Sequence, residues 1–131
     1  MSAFVGIVDL SGAPIDKGLL ESMTDMFAPR GPDARGSWHG DGAGLGHALL
    51  RTTDESALES QPFSFDGETW IVADARVDAR AQLVADLKEA GREASTDRPD
   101  VELILHAWHA WGEESTGRLL GDFAFAIWDS A

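Results

Sequence analysis

Residues 121–129 read Gly121-Asp122-Phe123-Ala124-Phe125-Ala126-Ile127-Trp128-Asp129. The run from Phe123 to Trp128 is apolar throughout, rich in aromatic side chains and too short for a typical helix. It predicts a strand, and the lack of polar alternation predicts one covered on both faces. Ala3-Phe4-Val5-Gly6-Ile7-Val8-Asp9-Leu10, closed by Ser11-Gly12, has the same character and predicts a second buried strand. Trp38 and the stretch from Leu45 to Leu50 flank Gly40-Asp41-Gly42, a hairpin signal. Phe63 and Phe65 lead into Asp66-Gly67, and Trp70-Ile71-Val72 return from it, which predicts another hairpin.

Three helical stripes lie between these strands. Ile15, Leu19, Leu20, Met23 and Phe27 recur at helical spacing ahead of Pro29. Leu83, Val84 and Leu87 share one face, with Asp78 the expected N-cap and Gly91 the expected C-terminal stop. Val101, Ile104, Leu105, Trp108 and Trp111 form the third stripe, ended by Gly112. Residues 93–99 form a polar loop. Strands, hairpins and three helices together predict an α+β fold, a layered arrangement of sheet and helix in one domain over residues 1–131. Trp128 is followed only by Asp129-Ser130-Ala131. The last strand would then lack its next neighbour, so the expectation is a domain without its C-terminal strands, cut from a longer protein.

The 23 acidic residues against 10 basic ones give a net charge of −13. Such a surface repels phosphate backbones and anionic lipid, so neither nucleic acid nor membrane is an expected partner. No apolar run approaches the roughly 20 residues that cross a bilayer, and no basic-then-apolar leader opens the chain. Cytoplasmic location is the expectation. Cysteine is absent, which removes disulfides, thiolate metal sites and thiol nucleophiles together.

Six segments carry a resemblance. They are Phe4-Val5-Gly6-Ile7, Arg30-Gly31-Pro32-Asp33, Gly44-Leu45-Gly46-His47, Gln61-Pro62, Asp100-Val101-Glu102 and the 121–129 strand. In this order and spacing the chain resembles the N-terminal glutamine amidotransferase domain of the asparagine synthetase family. The resemblance implies an N-terminal-nucleophile hydrolase fold, in which mainly antiparallel sheets stack between helices.

Members of that family that hydrolyse glutamine begin, once Met1 is removed, with a cysteine whose own amine acts as base. Ser2 stands at that position here, and Ala3 replaces the glycine after it. The family's oxyanion-hole segment, Asn-Gly-Glu-Ile-Tyr-Asn, matches Asp74-Ala75-Arg76-Val77-Asp78-Ala79. A carboxylate at Asp74 offers an acceptor where the chemistry needs a donor, and losing one such donor costs roughly 3 kcal/mol. The arginine that holds the glutamine carboxylate falls on Leu49, with Arg51 nearby and facing the same way along the strand at a different depth. Asp100 matches the aspartate that holds the substrate amine and is retained. The vestigial pocket is therefore Ser2, Leu49, Asp74, Ala75 and Asp100, with no catalytic residue expected unless Ser2 acts.

Several other clusters have plain structural readings. Arg30-Gly31-Pro32-Asp33 reads as a rigid turn with an ion pair or backbone caps, and His47 as a buried, hydrogen-bonded core histidine. Glu102, His106 and His109 share a helical face at a spacing that can bind zinc. Glu113 continues that face, which favours a solvated polar surface and no metal site. Asp74, Asp78, Arg76 and Arg80 either pair across a turn or form a solvated corner. The five tryptophans read as core or interface.

Relatives of asparagine synthetase with a broken glutaminase site join an amine and a carboxylate already present in one substrate. β-Lactam synthetases and the macrolactam synthetases of lasso peptides are two such groups, and the Asp-Ala-Arg-Val-Asp form of 74–78 is similar to the second. The resemblance implies a non-catalytic N-terminal domain of an ATP-dependent amide-forming enzyme, best matched to a lasso-peptide cyclase. It also implies a C-terminal synthetase domain or chain as partner, and a peptide or small-molecule substrate. ATP and Mg²⁺ would act on that downstream domain, with no cofactor in this one. Two alternatives stand beside it: an amidohydrolase using Ser2 as N-terminal nucleophile, and a stand-alone binding module.

Overall fold

A computed structural model describes residues 2–130 of the chain. It comprises two compact units. The first is built from Met1–Thr52, Ser60–Asp74 and Ala124–Ala131, the second from Thr53–Glu59 and Ala75–Phe123.

In the first unit, strands β1 (Ala3–Val8), β2 (Ala34–Gly40) and β3 (Ala43–Leu49) form one antiparallel sheet in the order β1-β3-β2. The β2–β3 ladder runs to the Gly40–Ala43 pair, so Asp41-Gly42 is a two-residue hairpin turn as its sequence predicts. β3 is flanked on both sides and buried at every position. Helix α1 (Lys17–Asp25) starts at the N-cap Asp16, whose carboxylate accepts the Leu19 N–H at 3.1 Å. It lays Leu20 and Thr24 against the sheet. A Cβ at position 46 would overlap the Thr24 hydroxyl. The glycine in Gly44-Leu45-Gly46-His47 is therefore what lets the helix sit this close to β3.

Strands β4 (Thr69–Asp78) and β5 (Leu120–Asp129) form a two-stranded sheet. Thr69 lies beside Asp129, and Arg76 beside Gly121, so the two strands run antiparallel. The hairpin expected at 63–72 is reduced to a single bridge, in which Phe63 and Ile71 exchange both backbone hydrogen bonds. Ser64 and Asp66 cap the turn between them through their side chains. β4 pairs with β5 because its apolar positions Ile71, Val72 and Ala73 are buried, while the 63–65 arm is too short to extend a ladder. β5 itself is not covered on both faces as its composition predicts: among the described residues its side chains are half-buried or exposed.

In the second unit, α2 (Arg80–Glu89) buries Leu83, Val84 and Leu87 and packs on α3 (Asp100–Trp111). Gly91 at φ +85° ends α2 in the left-handed conformation its sequence anticipates. The start differs from expectation. The N-cap is Ala79, itself left-handed at φ 52°, and the Asp78 carboxylate turns back to Arg76 at 3.2 Å. α3 is buried at every residue from Val101 to Ala107. The expected solvated polar face is thus a buried one over its first half. Glu102 is 5% exposed and is held by Arg98 through two bonds of 2.6 and 2.7 Å, and the His106 Nδ1 faces the Arg92 guanidinium at 3.1 Å.

The tryptophans are half-buried rather than core. Trp38 and Trp70 stack with ring centroids 5.1 Å apart, and Arg118 lies over Trp111 at 4.4 Å. No helix of the described residues is long and apolar enough to cross a membrane.

Candidate functional site

Ser2, Leu49 and Asp74 belong to the first unit, and Ala75 and Asp100 to the second. Ser2 precedes β1 and is buried. Its Oγ accepts the N–H of Leu50 at 3.0 Å, which ties the start of the chain to the end of β3. An oxygen that already accepts an N–H has less electron density to offer a carbonyl carbon, and a serine hydroxyl needs strong base assistance to begin with.

Leu49 is 2% exposed, its carbonyl taken by the Asp33 N–H at 2.9 Å. A buried isobutyl group offers nothing to a ligand carboxylate. Arg51 does not replace it. β3 ends at Leu49, so Arg51 is not on the strand at a second depth as its spacing suggested. It is exposed, with its N–H on the Asp33 carboxylate at 2.7 Å and its guanidinium near the Asp33 carbonyl at 3.3 Å. The Arg30-Gly31-Pro32-Asp33 turn is accordingly structural. Asp33 caps the 50–51 backbone, and a Cβ on Gly31 would overlap the backbone of Ala48 and Leu49.

The backbone entering Asp74 is clamped by two side chains. Gln61 Oε1 accepts the Ala73 N–H at 2.7 Å, and His47 Nε2 lies 2.8 Å from the Ala73 carbonyl oxygen. His47 is buried as expected, and burial pushes its imidazole below the ordinary value of 6.5, against the Ala73 carbonyl and the Asp74 carboxylate, which pull it up. The neutral ring with its proton on Nε2 fits this geometry. The part played by Gln61 was not read from the sequence. Its only signal there was the Gln-Pro pair among the resembling segments.

In the second unit Asp100 opens α3. Its Oδ2 accepts the N–H of Val77 at 3.3 Å, and its Oδ1 is paired with Arg80. Burial raises its carboxyl above the ordinary carboxylate range, opposed by the Val77 N–H and by Arg80. Arg80 was expected to pair with Asp74 or Asp78, if at all. It instead reaches the far end of the polar loop, a contact between residues 20 apart that spacing does not reveal. Arg76 pairs with Asp78 and with Asp122, both in exposed positions. Among the described residues, no group of three or more His, Cys, Asp or Glu is placed to hold a metal ion.

A family model described as "Glutamine amidotransferase domain" matches residues 1–131. The chain belongs to the glutamine amidotransferase domain family. This domain is 32% identical to "Asparagine synthetase [glutamine-hydrolyzing] 1" of Bacillus subtilis, over 98% of its own length and 21% of that protein. It is 33% identical to "Amidase chry2" of Gibberella zeae, over 98% of its length and 20% of that protein. The chain thus spans about a fifth of the length of the curated relatives it matches. Among solved structures, it superposes on glutamine phosphoribosylpyrophosphate amidotransferase from B. subtilis with a TM-score of 0.71. At 16% identity, that match covers 99% of this chain and 35% of the other. The likeness shows the α+β, N-terminal-nucleophile-hydrolase-like fold that the motifs imply. The chain is thus a glutamine amidotransferase domain of asparagine-synthetase type.

Proposed function

We propose that this domain is a non-catalytic glutaminase-like module of an ATP-dependent amide-forming enzyme of asparagine-synthetase type, with a lasso-peptide cyclase as the specific parent. The observation that carries the proposal is Ser2. The chain has no cysteine, and the hydroxyl in its place is buried and accepts the Leu50 amide. The negative charge of Asp74 beside the oxyanion position and the buried apolar side chain of Leu49 support the same reading. On this proposal the domain packs on a cytoplasmic synthetase domain and helps to wall a peptide or small-molecule substrate. ATP and Mg²⁺ chemistry, activation of a carboxylate, belongs to that partner.

The relationship to "Amidase chry2" favours a second reading. In it Ser2, freed of Met1, attacks an amide other than glutamine, with its own α-amine as base. Ammonia release from glutamine and from a panel of primary amides decides between the two. It is measured on protein whose intact mass verifies removal of Met1, with Ser2→Ala as control. No release above Ser2→Ala on any amide supports the non-catalytic reading. Release lost in Ser2→Ala overturns it.

A further inference from the structure

The guanidinium of Arg80 is shared among three acceptors of its own unit. It pairs with Asp100 Oδ1 and donates to the carbonyls of Thr96, at 2.8 Å, and of Arg98. The second carboxylate oxygen of Asp100 is taken by the Val77 N–H. Exposure separates this pair from its neighbour on the same corner. The Arg80 and Asp100 side chains are 20% and 17% exposed, against 63% and 53% for Arg76 and Asp78. An exposed pair is worth little, whereas removing one partner of a shielded pair strands the other. One carboxylate oxygen and two carbonyls that converge, with no other donor to them among the described residues, make a cradle for a flat, forked cation. A guanidinium satisfies all three at once, which a point-like ammonium does less well.

We propose that Asp100, with the carbonyls of Thr96 and Arg98, forms a guanidinium-binding site that Arg80 fills from within the chain, so that the carboxylate at the start of α3 is withheld from any ligand's amino group. Ala79, held left-handed at φ 52° immediately before Arg80, is the corner from which the side chain reaches this cradle. The proposal goes beyond the non-catalytic reading, which rests on Ser2 and would stand without it. It makes Arg80 the residue that decides what charge the start of α3 presents.

The test uses the full 131-residue chain and N-ethylguanidinium, the fragment removed by Arg80→Ala. Arg80→Ala is expected to lower Tm by about 5–10 °C. N-ethylguanidinium chloride should then raise the Tm of Arg80→Ala saturably, relative to sodium chloride and ethylammonium chloride at equal ionic strength. It should not do so for wild type or for Arg80→Ala/Asp100→Asn. An equal response in all three proteins, or none in Arg80→Ala, overturns the proposal. If Arg80→Ala does not fold, nitrogen-detected NMR of the wild type decides. Separate, slowly exchanging Nη signals of Arg80, which collapse to an average in Asp100→Asn, support the cradle, and a single averaged signal in wild type overturns it. Glutamine added to wild type distinguishes the two proposals. Ammonia release alone sinks the non-catalytic reading, whereas displacement of the Arg80 signals by glutamine sinks this one.

Discussion

His47 on β3 and Ala73 on β4 are joined by a buried hydrogen bond of 2.8 Å between the imidazole Nε2 and the carbonyl oxygen, and this bond fixes the backbone that leads into Asp74. A buried carbonyl that loses its partner bears its desolvation cost in full. His47→Ala, which also opens a cavity, should destabilise by about 2–4 kcal/mol. Urea denaturation at neutral pH checks this. Faster hydrogen exchange at the Ala73 amide, which Gln61 holds on the other side of the same residue, would show that the clamp itself has loosened. A loss under 0.5 kcal/mol, on the scale of an ordinary surface substitution, would mean that it does not hold this backbone.

Acid should act through His106. Burial, followed by the Arg92 charge, holds its imidazole at about 4, below the ordinary 6.5. The unfolded chain therefore takes up this proton before the folded one does. The neutral ring's contribution is complete above pH 6.5 and is lost progressively as pH falls towards about 4. The measured quantity is the stability of wild type minus that of His106→Gln, which cancels the response of the many carboxylates. It should decline from pH 7 to 4, and a flat difference would refute the shift.

Two glycines should respond oppositely to alanine. At Gly31 a methyl group would overlap the backbone of Ala48 and Leu49, and backbone cannot step aside cheaply. Gly31→Ala should cost about 3 kcal/mol or more, or prevent folding. At Gly117 nothing lies within 4 Å of the added Cβ, and Gly117→Ala should fall within about 0.5 kcal/mol of wild type or stabilise slightly. Thermal melts of the two variants side by side give the comparison.

Ala79 carries backbone strain that another side chain would relieve. Its φ of 52° lies where an L-residue with a Cβ is disfavoured, and asparagine tolerates that region better. Ala79→Asn should stabilise by about 0.5–1 kcal/mol, visible as a Tm gain of a few degrees. A loss of stability would show that the corner needs the small side chain for packing.

Restoring the thiol alone should not restore glutaminase activity. Ser2→Cys, with Met1 removed, keeps Leu49 and Asp74 in place, and one missing oxyanion donor already costs about 10²–10³ in kcat. Ammonia release should remain at the Ser2→Ala background. Turnover by Ser2→Cys would mean that the 74–75 corner still stabilises an oxyanion.

The strands and helices were legible wherever a local pattern carried them. The apolar runs at 3–8 and 123–128, the Asp41-Gly42 turn and the Leu83-Val84-Leu87 stripe each map onto an element at nearly the expected place. The family was legible too, because its motifs are contiguous and ordered. The groups that stand at positions 2, 49 and 74 (a hydroxyl, an isobutyl group and a carboxylate) could be read position by position.

What tertiary structure alone decided was where polar groups find their partners. A helical wheel assigns Glu102 and His106 to water because they are polar, yet both are buried, because the half-exposed Arg98 pairs with the Glu102 carboxylate and the neutral His106 ring accepts the Arg92 Nε–H. Asp78 looks like an N-cap by position, but Arg76 is the nearer claimant for its carboxylate. The pairings Arg80–Asp100, Gln61–Ala73 and His47–Ala73 join residues 20, 12 and 26 positions apart. Residue type and periodicity specify which groups must be satisfied. Only the packed chain, which brings distant segments within 3 Å or so of one another, selects the partner that satisfies each.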